Sequence, residues 1–238
     1  MCRDIVLLYD SQHIVRSDSI KNSIQTRTVG LVSGLILNAF GNGLCISANM
    51  GSGLWTAAAV NMNMWFAWNT GLLLFIMGVV NAITNQLLIR RFDGKRLIGE
   101  ILYVMFFSYF VNVFTNLLNS IGVPNLPIFI RAILSCLGVV FFCVAISLYQ
   151  RANIVMHPND DTTNILRFLY LKGNATAAQI IDFIPPIIII IVAGIAIKGV
   201  YSVNIGTVFS FIFNGILIAT ADKWIWPALK HNFKTQNN

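Results

Sequence analysis

Seven asparagines interrupt apolar stretches of the 238-residue chain: Asn38, Asn42, Asn81, Asn85, Asn112, Asn116 and Asn214. Six of them form pairs four residues apart, a spacing that puts both members on one face of a helix. A carboxamide carries two donors and two acceptor lone pairs. Such a face can accompany a neutral polar solute or hydrogen-bond a neighbouring helix, the latter worth about 0.6 kcal/mol per bond in a membrane. Helix pairing accounts for any one of these residues. Asn38 and Asn42 together are read as lining a solute path.

The acidic residues point to less chemistry. Asp160 and Asp161 precede an apolar stretch and are placed to cap a short helix. Asp160 is also positioned to present a carboxylate at a cytoplasmic entrance. Asp182 is expected to cap the helix that follows it, and Glu100 to pair with Lys95 or Arg96. No acidic residue falls at the centre of an expected span, which weighs against a carrier driven by protons on buried carboxylates. His13, His157 and His231 have no metal-binding spacing, and there is no catalytic acid pair, Ser–His arrangement, Walker loop or GxGxxG. The expectation is a protein that is not an enzyme and takes no cofactor and no metal.

These residues sit in a chain that water would not keep folded. Hydrophobic residues make up 56% and charged residues 11%, against about 25% charged in soluble domains. Lipid is therefore the expected solvent. The net charge of +7 is carried by short clusters between apolar runs, as orienting charges are, which excludes a nucleic-acid face. The four cysteines make no disulfide framework, and three of them lie in apolar runs as small hydrophobes. No cleavable signal precedes the first apolar run, so that run is expected to be retained as an anchor.

The elements that must position the asparagines follow in order. A polar lead, 1–29, contains a short helix near its start (DIVLLYD). Spans are expected at 30–47, 70–89, 97–118, 128–149, 183–198 and 203–222, each close to the ~20 residues a bilayer requires. The stretch 49–69, with Trp55, Trp65 and Trp68, suits the membrane–water boundary. The stretch 150–182 is a polar connector, and Pro185-Pro186 suit a first helical turn capped by Asp182. A tail, 223–238, follows. With both termini cytoplasmic, fourteen of the sixteen Lys and Arg residues fall inside, as the positive-inside rule requires.

The chain also repeats itself. GLVSGLILNAFGNGLCISAN at 30–49 returns as LSCLGVVFFCVAISLYQRAN at 134–153, with Gly34 matching Gly138 and Ala48-Asn49 matching Ala152-Asn153 at an offset of 104. The match continues to Gly99-Glu100 and Gly206-Thr207 at an offset of 107. Each copy holds three spans, so the second must be inverted relative to the first. The fold class is all-α, with six transmembrane helices in two inverted-topology three-helix repeats, 30–118 and 128–222. Inverted repeats recur in secondary transporters, whose sites form near the midplane between the halves. Gly30, Gly34, Gly41 and Gly43 mark a face for close helix approach.

The residues Ala48-Asn49-Met50-Gly51, with Trp55, and Ala152-Asn153 with Pro158 and Asp160 resemble the motifs of the YczE/YyaS/YitT family of bacterial integral membrane proteins. So does Gly206-Thr207 at the start of the last span. Leu54 and Thr56 depart from the pattern's Pro and Asp in the first copy. The resemblance covers roughly residues 30 to 222 and implies a six-span bacterial cell-membrane protein, with transport the usual presumption.

The expected function is therefore a permease for a small uncharged or weakly polar solute. Asn38, Asn42, Asn49, Asn153 and Asp160 are the residues expected to meet the solute, and the two Ala-Asn breaks would shape opposite entrances. The alternative is a non-transporting membrane partner that assists another protein's assembly or regulation. The partners expected are the lipid bilayer, a small-molecule solute, and a protein partner or a second copy of the chain, with no nucleic acid.

Overall fold

The computed structural model describes residues 22–172 and 174–230. The short helix expected in the lead, together with His13 and His231, lies outside the described residues. Among the described residues the chain is all-helical. The order is α1 Ile24–Ala48, α2 Leu54–Phe66, α3 Thr70–Leu88, α4 Gly94–Ser120, a single 3₁₀ turn at Val123–Asn125, α5 Ile128–Ala152, α6 Pro158–Ile165, α7 Ala175–Ile197 and α8 Ile205–Trp224. Six of these (α1, α3, α4, α5, α7 and α8) are long and apolar enough to cross a membrane.

Local chemistry sets the ends. Ser23 accepts from the Thr26 amide to start α1, Asn69 caps α3, and the Asp93 carboxylate accepts from the Arg96 amide to start α4. Asn49 (φ 50°) and Asn153 (φ 47°) end α1 and α5 in the left-handed region, which asparagine tolerates better than most residues. These two 25-residue helices pack antiparallel along their glycines. A Cβ on Gly34 would sit 3.1 Å from the Ala145 carbonyl oxygen, and one on Gly41 would sit 2.6 Å from that of Gly138. With the offset of 104, the first contact is the second with its partners exchanged. That exchange is what a two-fold axis between two antiparallel halves produces.

The same exchange governs two arginines. Arg27 donates from Nε to the Ala152 carbonyl at 2.7 Å and from Nη2 to that of Asn153 at 2.6 Å, while Arg131 donates to the Ala48 carbonyl at 3.4 Å. Each closes the open C-terminal end of the other half's long helix. Helix pairs match too: α1 packs on α4 as α5 packs on α8, and α2 packs on α7 as α6 packs on α3. One pair does not match. α3 and α4 pack closely, whereas α7 and α8 meet weakly, their Phe183 and Phe211 rings 5.7 Å apart.

Sequence expectations are corrected at two places. The fifth spanning helix starts at Ala175, capped by Asn174, rather than at Phe183. Asp182, Pro185 and Pro186 therefore lie inside it. The polar residues 174–182 disguised a helix whose inner face pairs with other elements. The stretch 49–69 is not a surface segment: Ala57, Ala58 and Ala59 of α2 are fully buried, and only its far end exposes Trp65 and Trp68. Glu100 and Asp182, at 1% and 5% exposure, are buried carboxylates in the N-terminal parts of spanning helices rather than at their centres.

Candidate functional site

The two short helices build the site. After Asn49 the chain turns back beside its own helix, so that α2 begins at the depth of Asn42, whose Oδ1 accepts from Thr56 Oγ1 at 2.5 Å. α2 then runs outward alongside α7. Trp55 Nε1 donates to Asp182 Oδ2 at 3.0 Å near its start, and Asn61 Nδ2 donates to the Tyr201 carbonyl at 2.6 Å further along. α6 does the same from the other end. It begins beside Tyr149, which donates to Asp160, and runs outward along α3, where Asn81 Nδ2 donates to Asn159 Oδ1 at 2.5 Å and Thr162 Oγ1 to Asn85 Oδ1 at 2.7 Å. At 13 and 8 residues neither can span a bilayer, which needs about 20.

Their inner ends meet at a cavity of about 110 Å³. Its wall is drawn from matched positions of the two halves: Asn38 with Phe142, Asn42 with Ile146, Trp55 with Asn159, and Thr56 with Asp160, each 104 apart. Met77 with Asp182 and Phe107 with Asn214 extend the pairing at offsets of 105 and 107. The N-termini of both short helices, with their partial positive charge, border this space.

Of the residues expected to meet a solute, Asn38, Asn42 and Asp160 line the cavity. Asn42 Nδ2 donates to Asn38 Oδ1 at 2.8 Å, so the pair acts as one unit. Asn49 and Asn153 lie elsewhere, at the ends of their helices, and Asn153 borders a second space described below. Asn81 and Asn85 serve helix pairing, holding α6. Sequence reasoning missed Trp55, Tyr149, His157, Gln179, Asp182 and Ser210 as wall residues. Trp55 and His157 each stand just beyond an Ala-Asn break, which is the one signal that could have found them.

Two wall groups lie outside the spanning helices and have shifted titrations. Burial pushes the Asp160 carboxyl up to about 6, partly offset by the Tyr149 hydroxyl that donates to it. Burial lowers His157 to about 3, so its ring is neutral, and its Nδ1 accepts from the Asn159 amide at 3.3 Å to cap α6.

The two ends of the bundle differ. At the end where α1 finishes, the segment entering α2 is bound to the start of α8. The Gly206 amide donates to the Met50 carbonyl at 2.8 Å, the Ser52 amide to Thr207 Oγ1 at 3.1 Å, and the Ser52 and Ser202 hydroxyls lie 3.0 Å apart. A Cβ on Gly206 would fall 2.7 Å from the Gly51 carbonyl oxygen, so only glycine permits this approach. At the opposite end the equivalent segment, Asn153 to Met156, borders a groove of about 910 Å³ that also meets Arg27, Lys95, Arg96 and Phe168. Arg96 grips Asp161 there with both Nε and Nη2 at 2.5 Å, and Glu100 at 3.4 Å, the pairing expected for Glu100. Among the described residues, one end is drawn together by hydrogen bonds and the other borders a groove.

Among the described residues no group of His, Cys, Asp and Glu is arranged to hold a metal ion. No curated protein and no solved structure matches the chain. One family model matches residues 25–223, which takes in all eight described helices but the last residue or so at either edge, and on that match the chain belongs to the Family of unknown function (DUF6198).

Proposed function

We propose that this multi-pass membrane protein moves a small polar solute across the bilayer through the cavity between its halves. The observation that carries the proposal is the composition of that wall: matched positions from both halves, with a short helix entering from each end. A site shared by two antiparallel halves can be reached from either side when one half rocks against the other. The end drawn together at Ser52 and the groove at Arg96 are then the equivalent gates of the two halves, one shut and one open. The concentration of Lys and Arg at the Arg96 end supports a cytoplasmic position for it in the cell membrane. The shared motif residues Trp55, Pro158 and Asp160 lie at the inner ends of the short helices, which extends the same reading to the resemblance with the YczE/YyaS/YitT family.

The test is flux. Protein in liposomes is expected to take up labelled urea or guanidinium faster than protein-free liposomes. Asn42→Leu, which replaces a wall carboxamide with a branched apolar side chain, should lower that uptake at least tenfold. Flux no greater than the protein-free rate for either solute would contradict the proposal and favour a non-transporting partner of another membrane protein.

A further inference from the structure

We propose that the cavity's ligand is a small organic cation whose N–H donors meet Asp182, an ammonium or guanidinium head rather than a neutral solute. This inference rests on the transport reading and narrows its substrate. Asp182 is 5% exposed and lines the cavity. One carboxylate oxygen is occupied by Trp55 Nε1 at 3.0 Å, while Oδ1 has no hydrogen-bond partner. A buried acceptor of this kind is costly unless something donates to it, and among the described residues nothing does.

The surroundings favour a positive donor. Asp160 is a second carboxylate in the wall, and neither Lys nor Arg lines it. His157, the one basic side chain present, is held neutral by burial. Trp55, Phe107, Phe142, Tyr149 and Phe183 supply aromatic surface, whose ring faces attract cations. Pro185 and Pro186 lack amide hydrogens, so the carbonyls of Ile181 and Asp182 lose their helical donors. Carbonyls released in this way are used by broken membrane helices to coordinate cations.

Guanidinium and urea separate charge from shape, since both are planar and built from one carbon and three heteroatoms. Purified full-length protein is expected to bind guanidinium at least tenfold more tightly than urea. Asp182→Asn keeps an acceptor for Trp55 and is expected to abolish that preference, while Asp182→Glu, checked for a monodisperse fold alongside it, restores part of it. Equal affinity for the two probes, or a preference that survives in folded Asp182→Asn, overturns the inference and leaves the transport reading standing if urea flux persists. Failure of both probes to bind or to move overturns both.

Discussion

At the scale of single residues, Asp160 offers the clearest titration. Burial raises its carboxyl from 3.8 to about 6, with Asp161 pushing the same way and Tyr149 pulling back. A carboxyl raised in the folded state gains a proton on folding within that window. Stability is therefore lost as pH rises from 3.8 through 6, and the deficit is complete above it. Asp160→Asn removes the ionisation but still accepts from Tyr149. In detergent it is expected to melt above wild type at pH 7.5, by on the order of 1–2 kcal/mol, with the gap closing towards pH 4. Melting that is unchanged at pH 7.5 would mean the carboxylate is well solvated. Its matched residue, Thr56, carries no charge, so the two inner helix ends are electrically unequal although their backbones correspond.

At the scale of elements, the α1–α5 crossing holds the halves together, and its glycines can be tested directly. Gly41→Ala would press a methyl group against the Gly138 carbonyl at 2.6 Å and the Phe142 amide at 2.9 Å, where overpacking costs about 1–3 kcal/mol. Gly215→Ala in α8 meets nothing within 4 Å and should gain roughly 0.5–1 kcal/mol from helix propensity. Thermal unfolding of the two variants is expected to move in opposite directions. A Gly41→Ala variant as stable as wild type would show that the helices slide apart at little cost. The glycine face, the breaks at Ala48-Asn49 and Ala152-Asn153, and the six spans were legible because each is local or periodic in the sequence. The short helices were not. Their inward course depends on pairs such as Trp55–Asp182 and Asn61–Tyr201, 127 and 140 residues apart, and their own polarity imitates that of a surface connector. Pro185-Pro186 misled for a related reason: prolines that mark a helix start in water stand inside a spanning helix here.

At the scale of the whole molecule, two halves with the same element order both contribute wall residues to one cavity that neither could form alone. The repeat at an offset of 104 was readable from Gly34 and Gly138, and from it the expectation of a site between the halves. Which residues form the wall was only half readable. Asn38, Asn42 and Asp160 reach it, while Asp182 was hidden by its apparent place at a helix start. The unequal ends are a property of the whole, visible only when Ser52 and Ser202 are seen together at one end and the wide groove at the other. If those ends are the alternating gates of one path, fixing the Ser52 end shut must stop transport. With the native cysteines replaced, Ser52→Cys/Ser202→Cys places two thiols where hydroxyls stand 3.0 Å apart, near the spacing a disulfide can close. Solute flux in liposomes carrying the fully oxidised pair is expected to fall to the protein-free rate and to return on reduction. Flux equal in the oxidised and reduced protein would contradict an alternating path through this cavity.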